Sequence, residues 1–150
     1  MPSDNTSTVL LGDLLSDDRG ISVGVMYPGE HDSAGIPLIR SGDLAGDRIN
    51  SAPAFRISPH VHHEYRRTEL LGGELLMTIV GDVGRCAIVP KQMRGWNAAR
   101  AIAVMRFKNP DDANLARFAL MSRTVKHLVV LTDRNDLDDQ LFDTFANSRQ

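Results

Sequence analysis

An α+β fold, built on a twisted, largely antiparallel sheet with a few short helices, follows from three features of the chain. Two apolar runs, residues 75–80 and 86–89, flank Gly81-Asp82-Val83-Gly84, the pattern of neighbouring strands joined by a turn. A third apolar run, residues 101–106, supplies a further strand. Helical spacing is confined to short stretches, and prolines and glycines punctuate the remainder. Runs of strands with a few separate helices fit an α+β layer arrangement.

In chain order, residues 1–8 are polar and expected to fray. Val9-Leu10-Leu11-Gly12-Asp13-Leu14-Leu15 leans towards helix, and Ser16-Asp17-Asp18-Arg19-Gly20 closes it. Residues 21–25 alternate weakly as a strand that ends at Tyr27-Pro28-Gly29, and residues 28–36 form a loop. Pro37-Leu38-Ile39-Arg40 is a short strand followed by the turn Ser41-Gly42-Asp43. Residues 46–64 read as irregular, broken by Pro53 and Pro59. Within them, Ser58 as cap and Pro59 at the first helical position can start a short helix reaching Arg67. The strands 75–80 and 86–89 follow, then a polar connection at 91–95 and the strand 101–106. Pro110-Asp111-Asp112 opens a helix whose apolar face is expected to hold Leu115, Phe118, Ala119 and Ser122. Residues 125–131 form an apolar β-type run, and Leu137, Leu141, Phe142 and Phe145 fall at helical spacing.

With 150 residues, 42% of them hydrophobic, the chain is one domain able to bury a core. No apolar run approaches the roughly 18 residues a membrane helix needs. The start Met1-Pro2-Ser3-Asp4-Asn5 lacks the features of a secretory signal, which makes the cytoplasm the expected location. The single cysteine, Cys86, has no internal disulfide partner and reads as a small buried apolar residue. The net charge of −2 argues against a nucleic-acid binder when taken alone. Its distribution argues the other way. Residues 1–39 carry one basic and six acidic side chains, residues 40–108 eleven basic and six acidic, and residues 109–150 five basic and seven acidic. The middle segment, at net +5, can supply local phosphate attraction that the whole-chain charge conceals.

The stretch from Gly35 to Arg106, which overlaps that middle segment, carries three blocks in a fixed order. The first is Gly35-Ile36-Pro37-Leu38-Ile39-Arg40-Ser41-Gly42-Asp43-Leu44. The second runs from Gly72-Gly73-Glu74-Leu75 through Gly81-Asp82-Val83-Gly84-Arg85 to Pro90. The third is Trp96-Asn97-Ala98-Ala99-Arg100 leading into residues 101–106. In this order and at these separations they resemble the target-recognition domain of type I restriction–modification specificity subunits, over roughly residues 8–122. The resemblance implies sequence-specific binding of double-stranded DNA by a domain with no active site or cofactor of its own. It also implies a partner DNA adenine methyltransferase subunit that binds S-adenosylmethionine, joined for cleavage by a restriction (motor nuclease) subunit; a homodimer is a further arrangement left open. Residues 109–150 depart from the family pattern, with no heptad repeat and no Glu-Gln entry to a long helix. The chain therefore divides into a flexible start (1–8), a recognition domain (9–122) and a divergent C-terminal extension (123–150).

Catalytic signatures are missing from the sequence. There is no Gly-x-Ser-x-Gly elbow, and Gly81-Asp82-Val83-Gly84 lacks the lysine and Ser/Thr of a phosphate loop. No methyltransferase Asn-Pro-Pro-Tyr motif or nuclease Asp…Glu-x-Lys set occurs either. His60-Val61-His62-His63-Glu64 suggests the main alternative, a small metal- or ligand-binding β-barrel of the cupin kind. However, Arg66 and Arg67 stand where that motif requires a carboxylate, and no second histidine motif follows Pro90. Direct readout of DNA needs planar or bidentate side chains on loops or at a sheet rim. Arg40, Ser41, Arg66, Arg67, Thr78, Arg85, Arg94 and Arg100 meet that description, and Lys91 and Trp96 share a loop with Arg94. Two alternatives stay open at this level: Arg40 can pair with Asp43 instead, and Trp96 can pack in the core instead of stacking on a sugar or base.

Overall fold

The computed structural model describes residues 9–121. Its elements are α1 (Leu11–Leu14), β1 (Ile21–Val23), β2 (Ile36–Ile39), β3 (Leu44–Ala45), β4 (Arg48–Ile49), β5 (Arg56–Ile57), α2 (Pro59–Glu64), β6 (Leu75–Thr78), β7 (Cys86–Ile88), β8 (Asn97–Ala98), β9 (Ile102–Met105) and α3 (Pro110–Met121). Single 3-10 turns occur at Ser41–Asp43, Arg66–Thr68 and Lys91–Met93. The main sheet has the order β1-β9-β6-β7 and is antiparallel throughout. A second sheet, β5-β2-β8, pairs β2 antiparallel to β5 and parallel to β8, and β3-β4 forms a separate hairpin. The expected α+β class with largely antiparallel pairing is the class observed.

Both faces of the main sheet are covered, so its strands read as continuous apolar runs instead of alternating ones. On one face Leu76, Ala87, Ile102 and Val104 join a cluster with Ile39, Leu44, Leu70 and Met93. On the other, Leu75, Met77, Cys86, Ala103 and Met105 meet Ala116 of α3, with Leu11 and Leu15 beside them. The smaller sheets thus cover one side and the helices α1 and α3 the other. A third cluster, Val25, Leu38 and Ile57 with Phe55, Val61 and Tyr65, fills the space around β2, β5 and α2.

The helix α2 starts as its sequence dictates, with Ser58 Oγ accepting the Val61 N–H at 3.2 Å and Pro59 in the first turn. It stops at Glu64, and a 3-10 turn carries the chain past Arg67. The strand β5 and the β3-β4 hairpin fall where the sequence suggested only turn or irregular backbone. The face of α3 is a second correction. The helix buries Ala113 and Ala116, while Leu115 is 61% and Phe118 68% exposed. Small side chains let the helix settle closely on β7, which bulky ones at the same positions would prevent. Ser122, the apolar run 125–131, the helical spacing at 137–145 and residues 1–8 lie outside the described residues.

The turn between β6 and β7 takes left-handed backbone at both glycines, with φ of 80° at Gly81 and 96° at Gly84. A Cβ at either position would meet no atom within 4 Å, so the cost of a side chain lies in the backbone alone. Gly81→Val or Gly84→Val is expected to destabilise by about 1–3 kcal/mol, read as a lower melting temperature. Gly81→Asn, which tolerates this conformation, should be milder. Unchanged melting in both valine variants would contradict the assigned turn geometry.

Candidate functional site

The strands β2 and β8 run in parallel, Leu38 opposite Asn97 and Ile39 opposite Ala98, so both leave the sheet at the same end. Arg40 and Ser41 emerge from one, Ala99 and Arg100 from the other. The Ala99 N–H donates to the Ile39 carbonyl at 2.8 Å, and the Arg100 N–H to the Val25 carbonyl at 3.0 Å. Gly24 allows this arrangement. Any Cβ there would collide with the Ala98 and Ala99 carbonyl oxygens, so only glycine brings Val25 alongside Ala99. An open pocket of about 560 Å³ lies at these strand ends, with Val25, Leu38, Phe55 and Ala99 among its apolar walls and Arg40, Ser41 and Arg100 among its polar lining.

Arg40 does not pair with Asp43. The Asp43 carboxylate accepts the backbone N–H of Arg40 at 2.9 Å and the Asn50 side-chain amide at 3.0 Å. The Arg40 guanidinium instead lies over the Phe55 ring, 5.4 Å from its centroid. Its charge is held in place without being neutralised.

A second group of cations sits on two 3-10 turns. Arg66 and Arg67 belong to one, Lys91 and Arg94 to the other and its end. Backbone hydrogen bonds join the two regions: the Leu70 N–H donates to the Trp96 carbonyl at 2.9 Å, and the Gly95 N–H to the Leu70 carbonyl at 2.8 Å. Asn97, completely buried, ties them to β8. Its Oδ1 accepts from the Thr68 hydroxyl at 2.6 Å and the Ala98 N–H at 2.9 Å. Its Nδ2 donates to the Tyr65 carbonyl at 3.2 Å and faces His62 Nδ1 at 3.3 Å. The Ala98 N–H can only donate, which fixes the orientation of the amide. The side chains of Arg66, Arg67, Lys91, Arg94 and Arg100 are exposed and make no ion pair or hydrogen bond with other described residues. Trp96 is half-buried and packs against the core cluster below.

Two sequence candidates are engaged within the fold, Thr78 buried and Arg85 partly exposed. Thr78 is completely buried, its hydroxyl donating to the Asp82 carbonyl at 2.6 Å and accepting the Arg85 N–H at 3.0 Å. It clamps the β6-β7 turn, so its polarity serves the backbone. Arg85 places Nε 3.0 Å from Asp82 Oδ2 and donates from Nη1 to the Leu44 carbonyl at 2.8 Å, pinning the turn to β3. Neither stands ready for a surface ligand. Arg106, part of the positive segment, is also withdrawn. It donates to the Glu69 carbonyl at 2.8 Å and lies 3.9 Å from Glu74, and burial pushes its pKa down while Glu74 opposes that shift. Burial also pushes the Cys86 thiol up to about 11, which keeps it protonated and inert at neutral pH.

The histidine cluster does not assemble a metal centre. His60, His62 and His63 lie on the short helix α2, and His62 Nε2 is 3.8 Å from Glu69. Among the described residues no group of three or more His, Cys, Asp or Glu could hold a metal ion. Nothing here supports the β-barrel alternative. Two residues escaped the sequence reading as parts of the site: Phe55, the platform under Arg40, and Asn97, recognised only as a member of the third block. Asn97→Ala would strip the buried Ala98 N–H of its side-chain acceptor and the Tyr65 carbonyl of the amide donor, leaving the Thr68 hydroxyl only the Tyr65 carbonyl at 2.9 Å. A loss of about 1–3 kcal/mol in denaturant unfolding is expected. Full stability in this variant would mean that the amide is dispensable to the site.

No protein-family model matches the chain. Over 103 residues it is 32% identical to the type I restriction enzyme EcoBI specificity subunit of Escherichia coli, a match covering 69% of this chain and 21% of that subunit. The fold is similar to the crystal structure of the HsdS subunit from Thermoanaerobacter tengcongensis, with a TM-score of 0.50 and 14% identity over 97% of this chain and 38% of that one. The chain thus spans about a fifth of the length of the curated relative it matches. With the fold and the sequence match in agreement, the chain is a homologue of the specificity subunits of type I restriction–modification enzymes and corresponds to a target-recognition domain of that family.

Proposed function

We propose that this domain recognises a specific sequence in double-stranded DNA as the non-catalytic specificity component of a type I-like restriction–modification system. The observation that carries this reading is the set of exposed, unpaired cations around β8 and its neighbouring turns, in a chain whose net charge is −2. Selection of free positive charge on one region suits phosphate contact, which dominates the affinity of such proteins. The sequence match to a specificity subunit supports the same reading. On this proposal residues 9–122 form the recognition domain and 123–150 an extension from it. Partner subunits bind S-adenosylmethionine, methylate adenine and, with a motor nuclease, cut. The working compartment is the cytoplasm. Among the described residues no helix is long and apolar enough to cross a membrane.

Replacing Arg66 and Arg67 together by Ala is expected to weaken duplex binding across all sequences. The slope of log affinity against log salt should flatten by about one to two units. An unchanged slope would place these arginines away from the phosphates. Incubated alone with S-adenosylmethionine or magnesium and duplex DNA, the full chain should transfer no methyl group and cut no strand. Either activity, abolished by a point substitution in this chain, would overturn the non-catalytic assignment.

A further inference from the structure

The two groups of cations leave the fold differently, Arg40 and Arg100 from paired strand ends at the rim of the pocket and the others from single 3-10 turns, and of the six only the Arg40 guanidinium is held by a neighbouring side chain. Reading a base edge requires a planar pair of donors fixed in direction, whereas holding a phosphate requires only a positive charge within reach. Arg66, Arg67, Lys91 and Arg94 stand on or beside single 3-10 turns with free side chains. Arg40 and Arg100 leave the paired ends of two parallel strands, with backbone N–H groups fixed by Asp43 and Val25. The Arg40 guanidinium is further oriented by the Phe55 ring. That ring is itself placed by the hydrogen bond from the Leu38 N–H to the Phe55 carbonyl at 3.0 Å, and it lies 5.6 Å from the His31 ring.

We propose that the pocket at the ends of β2 and β8 is the base-reading site, and that Arg40 and Arg100 each read a guanine through O6 and N7. Arg66, Arg67, Lys91 and Arg94 hold the phosphates on either side. The assignment rests on the DNA-recognition reading above and adds the division of labour within it. No carboxylate lines the pocket, so the two guanidinium groups are not neutralised from within. Its apolar walls, Val25, Leu38, Phe55 and Ala99, lie beside the donors and suit a flat base edge better than a strongly hydrated phosphate. Ser41, on the same rim, adds a hydroxyl that serves as donor or acceptor.

Arginine-to-lysine substitutions separate the two roles, because lysine keeps the charge and loses the planar fork. Sequences bound by the full chain would be selected from a randomised duplex pool with the wild type and with Arg40→Lys, Arg100→Lys, Arg67→Lys and Arg94→Lys. Arg40→Lys and Arg100→Lys are each expected to reduce guanine preference at one position by about tenfold, with the salt slope unchanged. Arg67→Lys and Arg94→Lys should leave the selected sequence as it is. In the selected duplex, 7-deazaguanine at the affected position should weaken the wild type comparably and add no further loss to the matching lysine variant. A selected sequence unchanged in Arg40→Lys and Arg100→Lys, or flattened equally in Arg94→Lys, overturns the assignment while leaving DNA recognition standing. A wild type that selects no sequence overturns the DNA-recognition reading itself, and this inference with it.

Discussion

The parallel register between β2 and β8 is the constraint on which the site depends. Parallel strands cannot be joined by a tight turn, so a long connection separates Leu38 from its partner Asn97. The reward is geometric: two residues distant in sequence, Arg40 and Arg100, leave the sheet side by side. A two-residue strand such as β8 has little pairing energy of its own. Its register is secured instead by the buried Asn97 amide, by the Gly24 backbone pressed against Ala98 and Ala99, and by the Arg100 N–H bonded to Val25. A slip of one residue would exchange the faces of Asn97 and Ala98, burying nothing to satisfy the amide.

Two groups of polar residues in this domain face opposite physical demands. Those inside are committed. Glu74, 3% exposed, accepts the Leu71 and Gly72 N–H groups at 2.5 and 2.8 Å and lies near Arg106, which reaches on to the Glu69 carbonyl. Such a buried pair fixes the chain entering β6 more than it adds net stability, because desolvation offsets the attraction. Those outside, Arg66, Arg67, Lys91, Arg94 and Arg100, are left without partners among the described residues. The framework therefore supplies rigidity, and the surface keeps positive charge free of internal partners.

Much of this was legible in the sequence where local chemistry decides. The glycine turn at 81–84, the Ser58-Pro59 helix start and the apolar strands flanking them depend on residues a few positions apart. Features set by distant partners were not legible. The strands β3, β4, β5 and β8 are two residues long and exist only through their pairing. Apolar spacing alone placed Leu115 and Phe118 in the core, although the close approach of α3 to β7 selects Ala113 and Ala116. Thr78 and Arg85 looked like surface contacts because a polar residue beside a glycine turn gives no sign of which way it faces. Charge segmentation does not separate free cations from structural ones: Arg56, bonded to the Gly35 carbonyl at 2.9 Å, joins Arg85 and Arg106 in holding the backbone.

Hydrogen exchange of the full chain, measured with and without saturating duplex DNA, reports which backbone regions the nucleic acid covers. Slowed exchange is expected at residues 40–41, 66–68, 91–96 and 99–101, with α3 unchanged, if the strand ends and the two 3-10 turns form the DNA face. Slowing confined to α3, or exchange unaltered by saturating DNA, would contradict that placement.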